Sequence, residues 1–286
     1  MAYSTTSTMA GFMETLQANA TARFAIGSRL HNHVMAFPST NANTVQFPVM
    51  PAPSPVTTAT AQTASISDAA ITVSSVTTSP AQIGAATIVS TASLLGGQGA
   101  YQGYFDVLMN DVVAGYDYDI AGEFDDLTDA SNVTDSASWV SFRKAKADLA
   151  DVGYGGQMHG AFSEAQMDLI LVGITGIQVS QTQEYIGTGY VGNLQGVELV
   201  ALPSGFMQTS TNKVGAIWYK EFGIGVGYHA GESAGNIFPR TGNPAPIVHL
   251  KEVGIDVVST NLSAAVFALA AQLATTGGVT CKFAVA

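Results

Sequence analysis

The sequence predicts an α+β fold, and three features of the chain predict it. A helical period persists over 101–127, a helix–strand–helix pattern occupies 138–172, and the chain from 214 onward is rich in strand-forming segments. Runs of strands that are separated from runs of helices are typical of this fold class. With 286 residues, of which 47% are hydrophobic, the chain can form one elaborated domain or two ordinary ones.

The first part of the chain, 1–44, predicts a weak helix over 11–30 followed by a loop. His31 and His33 flank Asn32 at the end of this helix. Two imidazoles can contribute to a metal site, but no cysteine or carboxylate nearby completes a ligand set. We therefore expect solvated histidines here and no metal.

The segment 45–92 predicts a long two-stranded excursion, because alternating apolar residues at both ends flank a proline-containing, Thr/Ala-rich tip. Between Arg29 and Asp106 the only acid or base other than histidine is Asp68. A polar linker and an arm laid across another subunit both fit this pattern, and the ordered strand ends favour the arm. The candidate inter-subunit contacts are the apolar residues of its strands, Val45, Phe47, Val49, Ile71, Val73 and Ile88.

The segment 101–127 predicts one long amphipathic helix, roughly 40 Å from end to end at 1.5 Å per residue. Four polar residues fall off its apolar stripe, namely Asp106, Asn110, Asp117 and Glu123. A helix of this length needs a sheet or a partner to lie on. The stripe itself recurs at every fourth position, Tyr104, Leu108, Val112, Tyr116, Ile120 and Phe124, flanked by Phe105 and Leu127.

The acids near the end of this helix resemble the start of a calcium loop, because Asp117, Asp119 and Gly122 have the required spacing. The resemblance fails at Thr128, which stands where a bidentate glutamate is needed, and at Ala121, in the fifth position of the loop. We interpret the acids as a solvated helix end without a metal. The same interpretation covers the acids that follow, Asp125, Asp126, Asp129 and Asp135.

The middle of the chain predicts a helix, a strand and a second helix. Ser138 is placed to cap a helix over 139–152, with a strand over 157–162 after three closely spaced glycines. Ser163 and Gln166 form the capping-box pattern that opens a helix ending near Val172.

The glycine motif over 187–192 is similar to a dinucleotide-binding fingerprint, but it runs into a strand over 196–201 instead of a helix, and no acid follows at the required spacing. We interpret its glycines as turn residues and expect no cofactor. From 214 the pattern predicts further strands, then a buried helix over 262–273 and a last strand over 279–285.

Composition and charge exclude several functions. The formal charge of −11, with only 10 Lys and Arg, argues against nucleic-acid binding by phosphate neutralisation. Only 11% of the residues are charged, which fits a subunit whose surface is mostly covered by neighbours. Cys281 is the only cysteine, so no intrachain disulfide can form, and we expect folding in a reducing cytoplasm. The P-loop, His-Glu-x-x-His and Cys-x-x-Cys motifs are absent, and we expect no enzyme activity.

The order of these segments resembles the major capsid protein of tailed bacteriophages, which has the Hong Kong 97-type fold. The resemblance rests on the excursion that begins TVQFPVMP, the long helix, the helix containing FRKAKADLAD, and the segment GYVGNLQGVELV. It covers nearly the whole chain. The last of these segments is similar to the glycine-punctuated hairpin of the family's axial domain.

The resemblance implies a division of the chain into the parts of a capsid subunit. Residues 1–44 would be the N-terminal arm, 45–92 the extended loop, and 93–135 the peripheral domain with its spine helix. Residues 136–222 would be the axial domain. The peripheral strands and helix would occupy 223–274, and a C-terminal strand 275–286.

The resemblance also implies partners and a location. Copies of the chain would form hexamers and pentamers of an icosahedral shell that encloses double-stranded DNA without reading its sequence. Assembly in the host cytoplasm would pass through a procapsid that matures. Scaffolding, portal and cement proteins would be separate chains, and no membrane would be involved. Some family members join subunits by an isopeptide bond from a lysine of the extended loop, but the first lysine here is Lys144, so we expect no such bond.

Three alternatives stay open at this point. An encapsulin-like compartment shell would keep the fold and enclose an enzyme cargo. A tail or decoration protein would be another kind of phage structural protein. An enzyme that uses the glycine motif at 187–192 would bind a nucleotide.

Overall fold

The structure is a computed structural model of the chain, and it describes residues 6–39, 44–49, 51–52, 74–90, 98–129, 137–172, 192–207, 212–229, 246–252 and 259–284. Among these residues it contains four α-helices and thirteen strands. The helices are α1 Thr6–Gly27, α2 Gln98–Gly122, α3 Trp139–Asp151 and α4 Glu164–Val172. The strands are β1 Met35–Ser39, β2 Val45–Val49, β3 Ser74–Thr78, β4 Ala81–Ser90, β5 Thr128–Asp129, β6 Met158–Ser163, β7 Asn193–Leu194, β8 Val197–Leu202, β9 Asn212–Tyr219, β10 Ile224–His229, β11 Ile247–Glu252, β12 Ser259–Gln272 and β13 Gly278–Ala284.

The chain divides into two compact units, and the first consists of Met1–Val45, Thr78–Ala121 and Val226–Ala270. Its sheet has the order β1-β10-β12-β11, and β4 pairs with the opposite edge of β12. The pairings of β12 with β11 and with β4 are both antiparallel, with Ala265 opposite Ile247 on one side and Gly84 on the other.

The long helix of the first unit confirms the predicted amphipathic period. From Leu108 to Ile120 every residue of the predicted stripe is buried, whereas Tyr104 at its start is 41% exposed. Asp117 is a correction, because it is buried even though it falls off the stripe. The helix packs on α1, whose Phe24 ring lies 4.9 Å from the Tyr116 ring in an edge-on contact.

The second unit consists of Gln46–Thr77, Gly122–Gly225 and Ala271–Ala286. Its main sheet is mixed, with the order β5-β13-β9-β6-β8-β7. β6 runs parallel to β8 and antiparallel to β9, and β7 and β8 form a hairpin. The hairpin turn places Gln195 at φ 52° and Gly196 at φ 84°, so both residues have the positive φ that tight hairpin turns require.

Both helices of the second unit begin with the caps that the sequence predicts. The Ser138 hydroxyl oxygen accepts a hydrogen bond from the Ser141 N–H at 3.2 Å. At α4 the bonds are reciprocal, because the Ser163 N–H donates to Gln166 Oε1 at 2.9 Å and the Gln166 N–H donates to Ser163 Oγ at 3.3 Å. These bonds satisfy backbone donors that helices leave unpaired at their first turn.

The segment 262–273 is a correction, because the predicted buried helix is the long strand β12. Its even-numbered side chains from Leu262 to Ala270 are buried. Ala265 is also buried, and the other odd-numbered side chains are half-buried. Alanine and leucine favour helices by only a few tenths of a kcal/mol per residue, so strand partners on both edges override that preference.

The excursion at 45–92 is partly described. β2 pairs with β3 as a separate two-stranded sheet, whereas β4 pairs with β12. Several predicted features lie outside the described residues, among them Asp135, the part of the excursion at 53–73 and most of the glycine motif at 187–192. No helix in the described part is both long and apolar enough to cross a membrane.

Candidate functional site

The junction between α1 and α2 is built around a buried carboxylate. Asp117 accepts hydrogen bonds from the Ser28 hydroxyl at 2.7 Å, the Arg29 N–H at 2.9 Å and the Leu30 N–H at 3.3 Å. The Ser28 oxygen in turn accepts the His31 N–H at 3.1 Å. Asp117 therefore caps the turn that follows α1 from a neighbouring helix, and it is not the solvated acid that we predicted.

The next residues of the chain belong to the same junction. His31 is buried, which corrects the expectation of a solvated histidine, and its Nδ1 lies 3.2 Å from the Tyr116 hydroxyl. Burial raises the pKa of Tyr116, and the charges of Asp117 and Asp119 raise it further. The phenol therefore stays protonated at neutral pH and takes part in a structural hydrogen bond.

Two further acids of the predicted helix end are also structural acceptors. Asp119 accepts the Ala270 N–H at 2.7 Å, and Glu123 accepts the Gln272 N–H at 2.9 Å. Burial raises the pKa of both Asp117 and Asp119, although their hydrogen bonds oppose the shift. The cost of burying these carboxylates is thus partly offset by charge-assisted hydrogen bonds.

The acids after the helix behave as predicted where they are described. Asp125, Asp126 and Asp129 are exposed. Asp125 and Asp129 both pair with Lys282, at 3.1 Å and 2.9 Å. The hydrogen bonds to Asp129 and Asp125 raise the pKa of Lys282.

The single cysteine is buried in the core of the second unit. Desolvation raises the pKa of the Cys281 thiol to about 12, and Asp148 adds to the shift. A thiol must ionise to act as a nucleophile or a metal ligand. The Cys281 thiol therefore stays protonated at neutral pH and packs as a core residue.

The predicted inter-subunit contacts lie in different environments. Val45 and Phe47 are covered by their own chain. Val45 lies against Gly227, and the Phe47 ring lies against Gly225. Val49 is half-buried, Ile88 is 64% exposed, and Ile71 and Val73 lie outside the described residues. Of the predicted contacts that the structure describes, Ile88 is thus the most exposed.

Other large apolar side chains are exposed, and sequence reasoning missed them. In the first unit they are Ile26, Tyr104, Val107 and Tyr118, and in the second unit Val140, Leu169 and Val172. The signal that could have identified Val140 is its position on the charged side of a predicted amphipathic helix, two residues before the buried Phe142. Exposed apolar side chains that occur in groups mark interaction surfaces.

No family model and no curated protein matches the chain. Solved structures do match. The match to the capsid structure of the cyanophage P-SCSP1u covers 89% of this chain and 86% of the capsid chain, with 9% sequence identity and a TM-score of 0.58. The match to the mature capsid of bacteriophage PhiM1 covers 90% of this chain and 87% of the capsid chain, with 9% sequence identity and a TM-score of 0.56.

A third similar structure is a virus-like particle from Pyrococcus furiosus. The match covers 94% of this chain and 98% of the chain of that particle, with 8% sequence identity and a TM-score of 0.56. Agreement over most of both chains at such low identity establishes a shared fold. The chain has the Hong Kong 97-type fold, as the order of its segments indicates.

Proposed function

We propose that this protein is the major capsid protein of a tailed bacteriophage, and that its copies form the hexamers and pentamers of an icosahedral shell that encloses double-stranded DNA. The observation that carries the proposal is the match to phage capsid structures over about nine tenths of the chain. The virion capsid is then its location, after assembly in the host cytoplasm.

The composition supports the same role. A chain with 11% charged residues has little ionic surface to keep an isolated monomer in solution, and a shell subunit needs less. The exposed apolar side chains of both units would be covered in such a shell. The net charge of −11 also fits a shell wall that does not adhere to packaged DNA, because like charges repel.

The parts of the subunit follow from this role. We assign 1–44 to the N-terminal arm, 45–92 to the extended loop, 93–135 and 223–274 to the peripheral domain, and 136–222 to the axial domain. The two-stranded sheet of β2 and β3 supports the extended loop, because its strands lie on either side of residues 53–73. Ile88 remains the candidate contact of this region.

Negative-stain electron microscopy with light scattering on the purified protein tests the proposal. We expect capsomer rings or closed shells of regular diameter. A monomer of about 30 kDa that also stays unassembled when it is co-expressed with its neighbouring gene products would contradict the proposal.

A second candidate is an encapsulin-like compartment shell. The similarity to the virus-like particle from Pyrococcus furiosus favours it, because that match covers almost all of both chains. The contents of purified particles separate the two functions. Shells that contain DNA and one portal vertex support the phage capsid, and small shells filled with an enzyme support the compartment.

A further inference from the structure

The first half of helix α3 presents an exposed face that combines an apolar side chain with positive charge, and the exposed acid Asp151 lies at the other end of this face. Val140 is 61% exposed, and Arg143 and Lys144 next to it are exposed. The opposite face of the helix is in the core through Phe142, Ala145 and Leu149. This concentration of cations is notable because the whole chain has only 10 Lys and Arg.

Helix α4 presents an exposed face of the opposite charge. Leu169 is 52% exposed and Val172 is 80% exposed, and the acids Glu164 and Asp168 are exposed beside them. The other side of the helix is in the core through Met167 and Ile170. The exposed face of α4 therefore combines two large apolar side chains with two acids, and exposed apolar side chains that occur together mark interaction surfaces.

The two helices form one layer on the six-stranded sheet. α3 contacts β13 and β9, α4 contacts β6 and β8, and the helices contact each other. Each exposed face therefore belongs to a different helix of the layer. A contact between the α3 face of one copy and the α4 face of the next joins two unlike surfaces, and contacts of that kind close rings when the rotation permits.

We propose that the exposed face of α3 in one copy binds the exposed face of α4 in the next copy around each capsomer. Arg143 and Lys144 then pair with Asp168 and Glu164, and Val140 packs near Leu169. The inference rests on the proposed function and deepens it, because it names the surfaces that join neighbours.

The charge pattern favours a second copy of this chain over packaged DNA as the partner of α3. Two exposed cations release too few counterions to hold a duplex, and exposed Val140 gains nothing from a phosphate backbone. The α4 face offers both an acid and an apolar side chain. Complementary charges of this kind also set the register between two surfaces.

Charge reversal and exchange test the pairing. We expect Lys144→Glu and Asp168→Lys each to lower the fraction of protein in rings or shells about tenfold at a fixed concentration, measured by sedimentation velocity and microscopy. The double variant K144E/D168K restores opposite charges across the contact, so we expect it to assemble nearly as the unchanged protein does.

The matched control is K144E/D111K, because Asp111 is exposed on α2 and its reversal changes the net charge equally. We expect no rescue from it. Thermal melting followed by circular dichroism checks that each variant folds. Lys144→Ala and Asp168→Ala replace any reversal that does not fold, and we expect these variants to reduce assembly by a smaller factor.

Each outcome decides the inference. If the unchanged protein assembles and neither reversal weakens assembly, the pairing is wrong while the proposed function stands. The pairing is also wrong if the single reversals reduce assembly and K144E/D168K does not restore it, or if K144E/D111K restores assembly equally well. If the reversals reduce only the DNA content of shells that assemble normally, α3 faces the DNA instead. Failure of the unchanged protein to assemble counts against the proposed function itself.

Discussion

At the scale of single residues, Asp117 holds the α1–α2 junction together. Its two carboxylate oxygens accept three donors from Ser28, Arg29 and Leu30. Buried donors that lose their acceptor keep their desolvation cost, which is about 1–3 kcal/mol for each group. The carboxylate is itself costly to bury, which limits the net gain.

We expect Asp117→Ala to lower the free energy of unfolding by about 2 kcal/mol, because the Ser28 hydroxyl and two backbone N–H groups lose their acceptor. Chemical denaturation measures the change. Asp111→Ala on the exposed side of the same helix is the control, with an expected change within about 0.5 kcal/mol. Equal stability of the two variants would show that the buried network contributes little.

Gly277 is a second position where the addition of a single atom, a Cβ, would disturb the packing. A Cβ at this residue would lie 2.1 Å from the carbonyl oxygen of Phe222, which is a backbone atom that cannot rotate away.

We therefore expect Gly277→Ala to destabilise the protein by about 3 kcal/mol or to prevent folding, as overpacking does. Gly205→Ala is the control, since a Cβ there meets no atom within 4 Å. Thermal unfolding of both variants checks this, and a Gly277→Ala protein that melts with the control would refute the close contact.

At the scale of elements, the helix caps carry the local signal that the sequence provides. Ser138 accepts the Ser141 N–H, and loss of such a cap costs about 1 kcal/mol. We expect that loss in unfolding free energy from Ser138→Ala. Ser138→Asp keeps an acceptor at the cap and should retain most of the stability. If both variants unfold alike, the cap bond does not contribute.

Sequence predicted the elements with strong local signals and missed those that depend on distant partners. The period of α2 and the caps of α3 and α4 were sufficient to locate these helices. The prediction of a helix over 262–273 was wrong because this Ala- and Leu-rich run has no local feature that excludes a helix. The run forms strand β12 because it pairs with β4 and β11. The burial of Asp117 depends on the turn after α1, which lies almost 90 positions away.

The candidate surfaces were less predictable than the elements. Ile88 was identified because its strand alternates, and its exposure agrees with a contact role that is still a prediction. Val45 and Phe47 follow the same alternation, but tertiary packing covers them with β10. Alternation identifies the faces of a strand, and only the fold decides which face is covered.

At the scale of the whole molecule, the proposed shell is expected to be held by non-covalent contacts. The segment 45–92, which we propose to be the extended loop, contains no lysine, so an isopeptide bond cannot start from it. We expect boiled shells to migrate as a single band near 29.5 kDa on a denaturing gel. A ladder of covalent oligomers would contradict this.

The central claim is that copies of this chain tile a closed shell, and a cryo-electron microscopy reconstruction of the assembled particle tests it most directly. The account predicts icosahedral symmetry, with this fold repeated in hexamers and pentamers and with the exposed apolar side chains of both units covered by neighbours. Particles without closed symmetry, or a chain that stays monomeric among its neighbouring gene products, would contradict it.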